Sequence, residues 1–179
     1  MDTNRIATRY AKGFFAYAKQ INILDVAYRN CNTIIRFFKV NRDIEEFLKS
    51  PIISSEEKIS KLNQFAEGDL SPYTLKFIKL MIDNQRGVHV YNAFLLFKQL
   101  YLKEKGIVDV TVETPVSISL SEKEALKRAL TKKLKSDLEL NVEVREDLIG
   151  GFLVMVNGKV LDMSVKGQLN KIRKKLVNG

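Results

Sequence analysis

The hydrophobic period of this chain changes once, near Gly106, and that change limits the folds open to it. Before Gly106, apolar residues recur three and four apart with no sustained alternation, the spacing of helices that bury one face. After it, Val108, Val110 and Val112 alternate with Asp109, Thr111 and Glu113, the period of a half-buried strand. One chain with both periods in succession reads as an α+β protein in two parts: an N-terminal six-helix bundle over residues 1–105, then a small β-α-β-β-α module over residues 106–179.

Punctuation residues place the helices. Helix one is expected from about Asn4 to Gln20 and helix two from about Leu24 to Phe38. A short helix around Ile44 to Leu48 stops at Ser50-Pro51, because proline disfavours helical backbone in the residue before it. Ser54 or Ser55 caps helix four, with Glu56 and Glu57 in its first turn, and Gly68 ends it. Ser71-Pro72 opens helix five with proline at the first helical position, where no hydrogen bond is lost. Helix six runs from about Gly87 to Lys105, with Gly106 as its stop.

In the second part, Leu138, Leu140, Val142 and Val144 mark another alternating strand. Between the two strands, Ser121 with Glu124 reads as a capping box, and the helix it opens presents Leu126, Ala129, Leu130 and Leu134 on one face. Phe152 to Val156 reads as an apolar strand covered on both sides. Asn157-Gly158 is a two-residue hairpin signal leading into Val160 and Leu161. Ser164 can cap a last helix with Val165, Leu169, Ile172 and Leu176 on one stripe. Gly150-Gly151 before a strand suggests a tight turn or a close backbone approach.

Chemistry is conspicuously lacking. His89 is the only histidine and Cys31 the only cysteine, so neither a zinc cluster nor a disulfide within the chain can be built. His89 reads as a partly exposed residue at a helix start rather than a catalytic base. No Gly-rich phosphate loop or dinucleotide fingerprint is present, and no cofactor is implied. No window approaches the ~20 apolar residues of a membrane span, and the first residues lack a signal-peptide core. A lone cysteine fits a reducing compartment. The net charge of +9 raises a nucleic-acid reading, with Lys166, Lys171, Arg173, Lys174 and Lys175 as its densest basic stretch. The excess is nevertheless spread along the chain: 17 basic and 11 acidic groups before Gly106, 13 and 10 from there on.

Two helices carry more apolar surface than one stripe needs. Helix one has Ile6, Tyr10, Phe14, Tyr17 and Ile21 on one line and Ala7, Ala11, Phe15 and Ala18 beside it. Helix five has Leu75, Ile78 and Ile82 on one line and Phe77, Leu80 and Met81 on another. Either both helices are enclosed by the other four, or one stripe faces the core while the other stays available, with small residues such as Ala7, Ala11 and Ala18, flanked by aromatics, leaving a shallow groove for a partner's amphipathic helix.

Four segments together resemble the delta subunit of bacterial F-type ATP synthases, the oligomycin-sensitivity-conferring protein of mitochondria. They are Arg9-Tyr10-Ala11-Lys12 with Phe15 and Ala18; Phe77, Ile78 and Leu80 with Asn84-Gln85-Arg86; Leu148-Ile149-Gly150-Gly151-Phe152 with Val154 and Val156; and Leu161 to Leu169. They follow one another in order across nearly the whole chain. Gly13-Phe14 stands where that family usually has Ala-Leu, Arg145 where an aspartate is common, and Met163 where a glycine is usual.

The resemblance implies a non-catalytic stator subunit at the top of the peripheral stalk, linking catalytic head to membrane sector so that proton transport is coupled to ATP synthesis. It implies a groove for the N-terminal helices of alpha subunits, formed by Tyr10, Ala11, Phe14, Phe15 and Ala18 with Leu75, Ile78, Lys79 and Ile82. It implies that the C-terminal module holds the b subunit of the stalk, with Gly150, Gly151, Asp162 and Ser164 in structural roles. The location implied is the cytoplasmic face of the bacterial plasma membrane, reached through the complex, with no direct nucleotide and no membrane insertion. The competing reading is a basic nucleic-acid-binding protein using the C-terminal Lys/Arg helix. Only Phe152 among the expected strands could stack on a base, which weighs against it.

Overall fold

The computed structural model describes residues 2–41, 43–66, 68–157, 159–165, 167–169 and 173. Helices and a four-stranded sheet make it an α+β chain, and its contacts divide it into two compact units, residues 1–101 and 102–179.

The first unit holds α1 (Asp2–Gln20), α2 (Leu24–Val40), α3 (Ile44–Lys49), α4 (Ser55–Phe65), α5 (Pro72–Asp83) and most of α6 (Val90–Lys105). Ser54 and Ser71 cap α4 and α5, each Oγ accepting a hydrogen bond from the amide three residues on. Three helices end on a residue in the left-handed region. Asn22 and Gln85 (φ 57°) and Gly106 (φ 66°) follow α1, α5 and α6, and the next amide in each case reaches back to the last turn. The stretch expected to open helix six is instead a 3₁₀ turn, Gly87–His89, ahead of α6. That turn buries His89, so the histidine is not the partly exposed residue expected from its place at a helix start, and its Nδ1 has no partner. Phe94 and Phe97 of α6, Ile78 and Met81 of α5 and Ala7, Ala11 and Ala18 of α1 lie at the centre of the unit's core.

In the second unit the sheet order is β2-β1-β3-β4, from β1 (Val108–Thr114), β2 (Leu138–Val144), β3 (Leu153–Val156) and β4 (Lys159–Asp162). The return arm of the Asn157 hairpin is a strand in its own right, one more than β-α-β-β-α counts. β1 and β2 pair in parallel through the crossover helix α7 (Leu120–Leu134), with Val110 opposite Leu140. β3 runs antiparallel to both β1 and β4. Val110, Val112, Leu138, Leu140 and Val154 form one apolar face, against which Leu126, Leu130 and Leu134 of α7 pack.

Three expectations need correction here. The capping box is Ser119 with Glu122, not Ser121 with Glu124: both pairs satisfy the same spacing, and starting two residues earlier brings Leu120 and Ser121 into the helix. Ala129 is exposed, since the helical period centres the buried stripe on residues 126, 130 and 134. The strand expected from Phe152 begins at Leu153, Phe152 is 43% exposed, and only Val154 of β3 is buried; among the described residues α7 alone covers the sheet, on one face.

Candidate functional site

An open groove with a cavity volume of about 510 Å³ runs between α1 and α5. Arg9, Tyr10, Gly13, Phe14 and Tyr17 line it from α1; Tyr73, Lys76, Phe77 and Leu80 line it from α5, and Asn84 from that helix's C-cap. On α1 the spacing is 9, 13 and 17, and on α5 it is 73, 76 and 77, 80, 84, so each wall is one helical stripe. The floor is aromatic. Phe14 and Phe77 stack with centroids 4.2 Å apart and planes at 9°, and Phe94 meets both edge-on from beneath. Tyr17 faces Tyr73 at 6.3 Å. Apolar surface stays open to solvent: Tyr17, Tyr73 and Leu80 are 44%, 41% and 53% exposed.

A buried polar cluster holds the α5 wall in place. Asn30 of α2 donates from Nδ2 to Asp69 O (2.9 Å), while its Oδ1 accepts from the Ser71 amide (2.9 Å) and the Thr74 hydroxyl (3.0 Å). The start of α5 is thus fastened to α2 at Ser71 and Thr74, on either side of Pro72-Tyr73. At the far end Arg86 N closes α5 onto Met81 O at 2.7 Å.

The residues that the family resemblance implies for the groove take several positions. Tyr10 and Phe14 line it. Ala11, Ala18, Ile78 and Ile82 lie beneath the surface in the core. Phe15 packs from α1 against Phe97 of α6, 5.9 Å between centroids, and Leu75 packs on the same core. Lys79 joins α5 to α4, its Nζ 2.7 Å from Glu56 Oε1 and 3.2 Å from Asp83 Oδ2. The small residue that opens the groove is Gly13, around which a Cβ would meet nothing, and not an alanine of the Ala7–Ala18 stripe. Eight lining residues lie outside the set that the resemblance implies: Arg9, Gly13, Tyr17, Tyr73, Lys76, Phe77, Leu80 and Asn84. Their shared helical phase is the available signal, and Arg9, Gly13, Lys76 and Asn84 are hidden from a hydrophobic period because they are polar or small.

In the second unit Gly150-Gly151 packs against the Met163–Val165 segment. Gly151 has φ +76°, and a Cβ on it would collide with Met163 O and come within 2.9 Å of Ser164 Cα. Ser164 is buried; its hydroxyl donates to Asp162 Oδ1 (2.6 Å) and accepts from the Gly167 amide (2.9 Å). Arg145, at the position where the resemblance favours aspartate, ties Glu113 (2.7 Å) to Asp147 (2.9 Å). Of the basic C-terminal stretch, Arg173 is exposed, while Lys166, Lys171, Lys174 and Lys175 lie outside the described residues, as do Ile172 and Leu176.

Among the described residues the groove is lined by no cysteine, serine, threonine or histidine. Cys31 is buried under Phe94 O, and burial pushes its thiol up to about 12, so it stays protonated. Among the described residues no group of His, Cys, Asp or Glu could hold a metal, and no helix is long and apolar enough to cross a membrane.

The sequence model of the family described as ATP synthase delta (OSCP) subunit matches residues 6–176. The chain belongs to that family. An ATP synthase subunit delta from Symbiobacterium thermophilum is 27% identical over 178 residues, 99% of this chain and 96% of the relative. Another, from Rickettsia conorii, is 29% identical over 99% of this chain and 98% of its own. A chain in the cryo-EM structure of the Toxoplasma gondii mitochondrial ATP synthase hexamer shares the fold with a TM-score of 0.74 at 21% identity, covering 96% of this chain and 97% of that one. As a delta-family member the chain is a structural, non-catalytic subunit of the ATP synthase peripheral stalk. Nothing in these likenesses favours the nucleic-acid reading.

Proposed function

We propose that this delta-family subunit couples head to stalk through two attachments: its α1/α5 groove receives an N-terminal helix of an alpha subunit, and its second unit holds the b subunit. The proposed setting is the cytoplasmic face of a bacterial plasma membrane, reached through the complex. The observation that carries the groove assignment is the open aromatic channel itself. A chain with no partner gains nothing from leaving Tyr17, Tyr73 and Leu80 in water along one groove. An amphipathic helix laid there would cover all three and stack its apolar side chains on Phe14 and Phe77. Two such attachments in one chain reinforce each other through effective concentration, by a factor of about 10²–10⁴. That suits a connection that must hold under torque without being individually very tight.

Leu80 is the residue to change. Phe15 faces the core side, so its substitution would mix docking with folding. Leu80→Asp alters the groove wall at a half-exposed site. Titrating a peptide of the alpha subunit's N-terminal segment into the full chain should show at least ~30-fold weaker binding for Leu80→Asp, about 2 kcal/mol. The melting temperature should stay unchanged. Equal binding by the two chains would remove the groove from the proposal.

A further inference from the structure

The groove's charge has one sign. Among the described residues, Arg9 on α1 and Lys76 on α5 are the only charged ones lining it; they stand on opposite walls, and both are exposed. Lys79, three residues on from Lys76 in α5, is by contrast neutralised within the chain by Glu56 and Asp83. Arg9 and Lys76 have no carboxylate partner among the described residues; the Arg9 guanidinium only sits 5.8 Å from the Tyr10 ring centroid. Because Phe77 stacks on Phe14, Lys76 stands near the level of Phe14. Arg9 lies five residues earlier on α1, a rise of about 7 Å. The two cations are therefore diagonal across the channel.

We infer that the helix received by this groove carries carboxylates on both edges of its apolar stripe, staggered by about one and a half turns, and that Arg9 and Lys76 select for them. This rests on the reading above that a partner helix fills the groove. A helix of that pattern places its apolar face over the aromatic floor and one acid against each wall. The same two cations repel a helix with basic edges, so they discriminate as well as attract. Exposed pairs are individually weak, so the two together are expected to change affinity by about tenfold at low salt and to fade as salt screens them.

The test uses the full chain, the N-terminal segment of the same synthase's alpha subunit as a labelled peptide, and anisotropy titrations at about 0.05 M and about 0.5 M salt, spanning the range over which screening takes hold. The double variant Arg9→Glu, Lys76→Glu should bind at least ~10-fold more weakly at low salt and within ~3-fold of the parent at high salt. Changing the peptide's edge carboxylates to lysine should restore binding to the double variant. A peptide without edge carboxylates, a double variant that binds like the parent, or a loss indifferent to salt would each overturn the inference. If Leu80→Asp weakens binding and the double variant does not, only the charge selection falls. If Leu80→Asp also leaves binding unchanged, the occupancy reading falls and takes the selection with it. Self-association of the chain that Leu80→Asp abolishes would make a second copy the occupant and overturn both.

Discussion

Replacing Asn30 with alanine removes a side chain that hydrogen-bonds α2 to the start of α5. Three hydrogen bonds go with it: to Asp69 O, from the Ser71 amide and from the Thr74 hydroxyl. Thr74 keeps a partner in Ser71 Oγ, 3.0 Å away, so the loss concentrates on two backbone groups, Asp69 O and Ser71 N. A buried backbone group left unpaired costs about 1–3 kcal/mol. Both of these are only partly buried, which places each near the lower end. The expected loss is therefore about 2–3 kcal/mol, or about 10–20 °C in melting temperature for a unit of this size. Guanidinium titrations followed by far-ultraviolet circular dichroism measure it directly, since the helical unit dominates that signal. Asn30→Asp sharpens the test. It keeps both acceptor bonds but turns a carboxylate oxygen toward Asp69 O, so its folded-state pKa should rise and its stability should recover as the solution is acidified. A loss below ~1 kcal/mol for the alanine variant, or an aspartate variant indifferent to pH, would refute the claim that this cluster holds the α5 wall.

Gly151→Ala should destabilise the second unit by at least ~2 kcal/mol, because alanine is strained at φ +76° and its Cβ meets Met163 O; hydrogen exchange at the β3 and β4 amides would show it, and unchanged protection would sink the idea. Burial, reinforced by Arg86, holds the His89 imidazole below its ordinary 6.5. The folded chain therefore binds fewer protons there than the unfolded one, and stability should decline as pH falls through about 6.5 and level off below the folded value. Denaturation midpoints at a series of pH values should show that slope for the parent and a flatter one for His89→Gln.

Much of the local structure was legible because it depends on neighbours a few residues away. Ser54, Ser71 and Pro72 announce helix starts through bonds three residues long, and the valines of β1 announce a strand through a two-residue period. The capping box shows the limit of such reasoning: Ser119 and Ser121 each have a glutamate three residues on, and spacing cannot rank two equal matches. Sequence is silent on the covering of β3 for a related reason. A run of apolar residues fits burial on both faces, but burial needs something to lie over each face, and only α7 supplies it among the described residues.

The groove divides in the same way. Excess apolar surface on helices one and five is a property of the sequence, and the two helices that form the channel are the two that periodicity singled out. Which residues of each helix face the channel is a matter of rotation about the helix axis, and that angle is decided by packing. Phe94 and Phe97 of α6 draw Phe14 and Phe15 inward, and the core takes the alanine stripe because close helix packing needs small side chains. Gly13, Arg9 and Lys76 are left at the surface by that rotation, where no hydrophobic period could mark them. The sequence by itself determined two parts, their element types and the pair of helices with surface to spare. Only the tertiary structure decided the walls of the channel and the charges along them, because helix phase is set by contacts between residues dozens of positions apart.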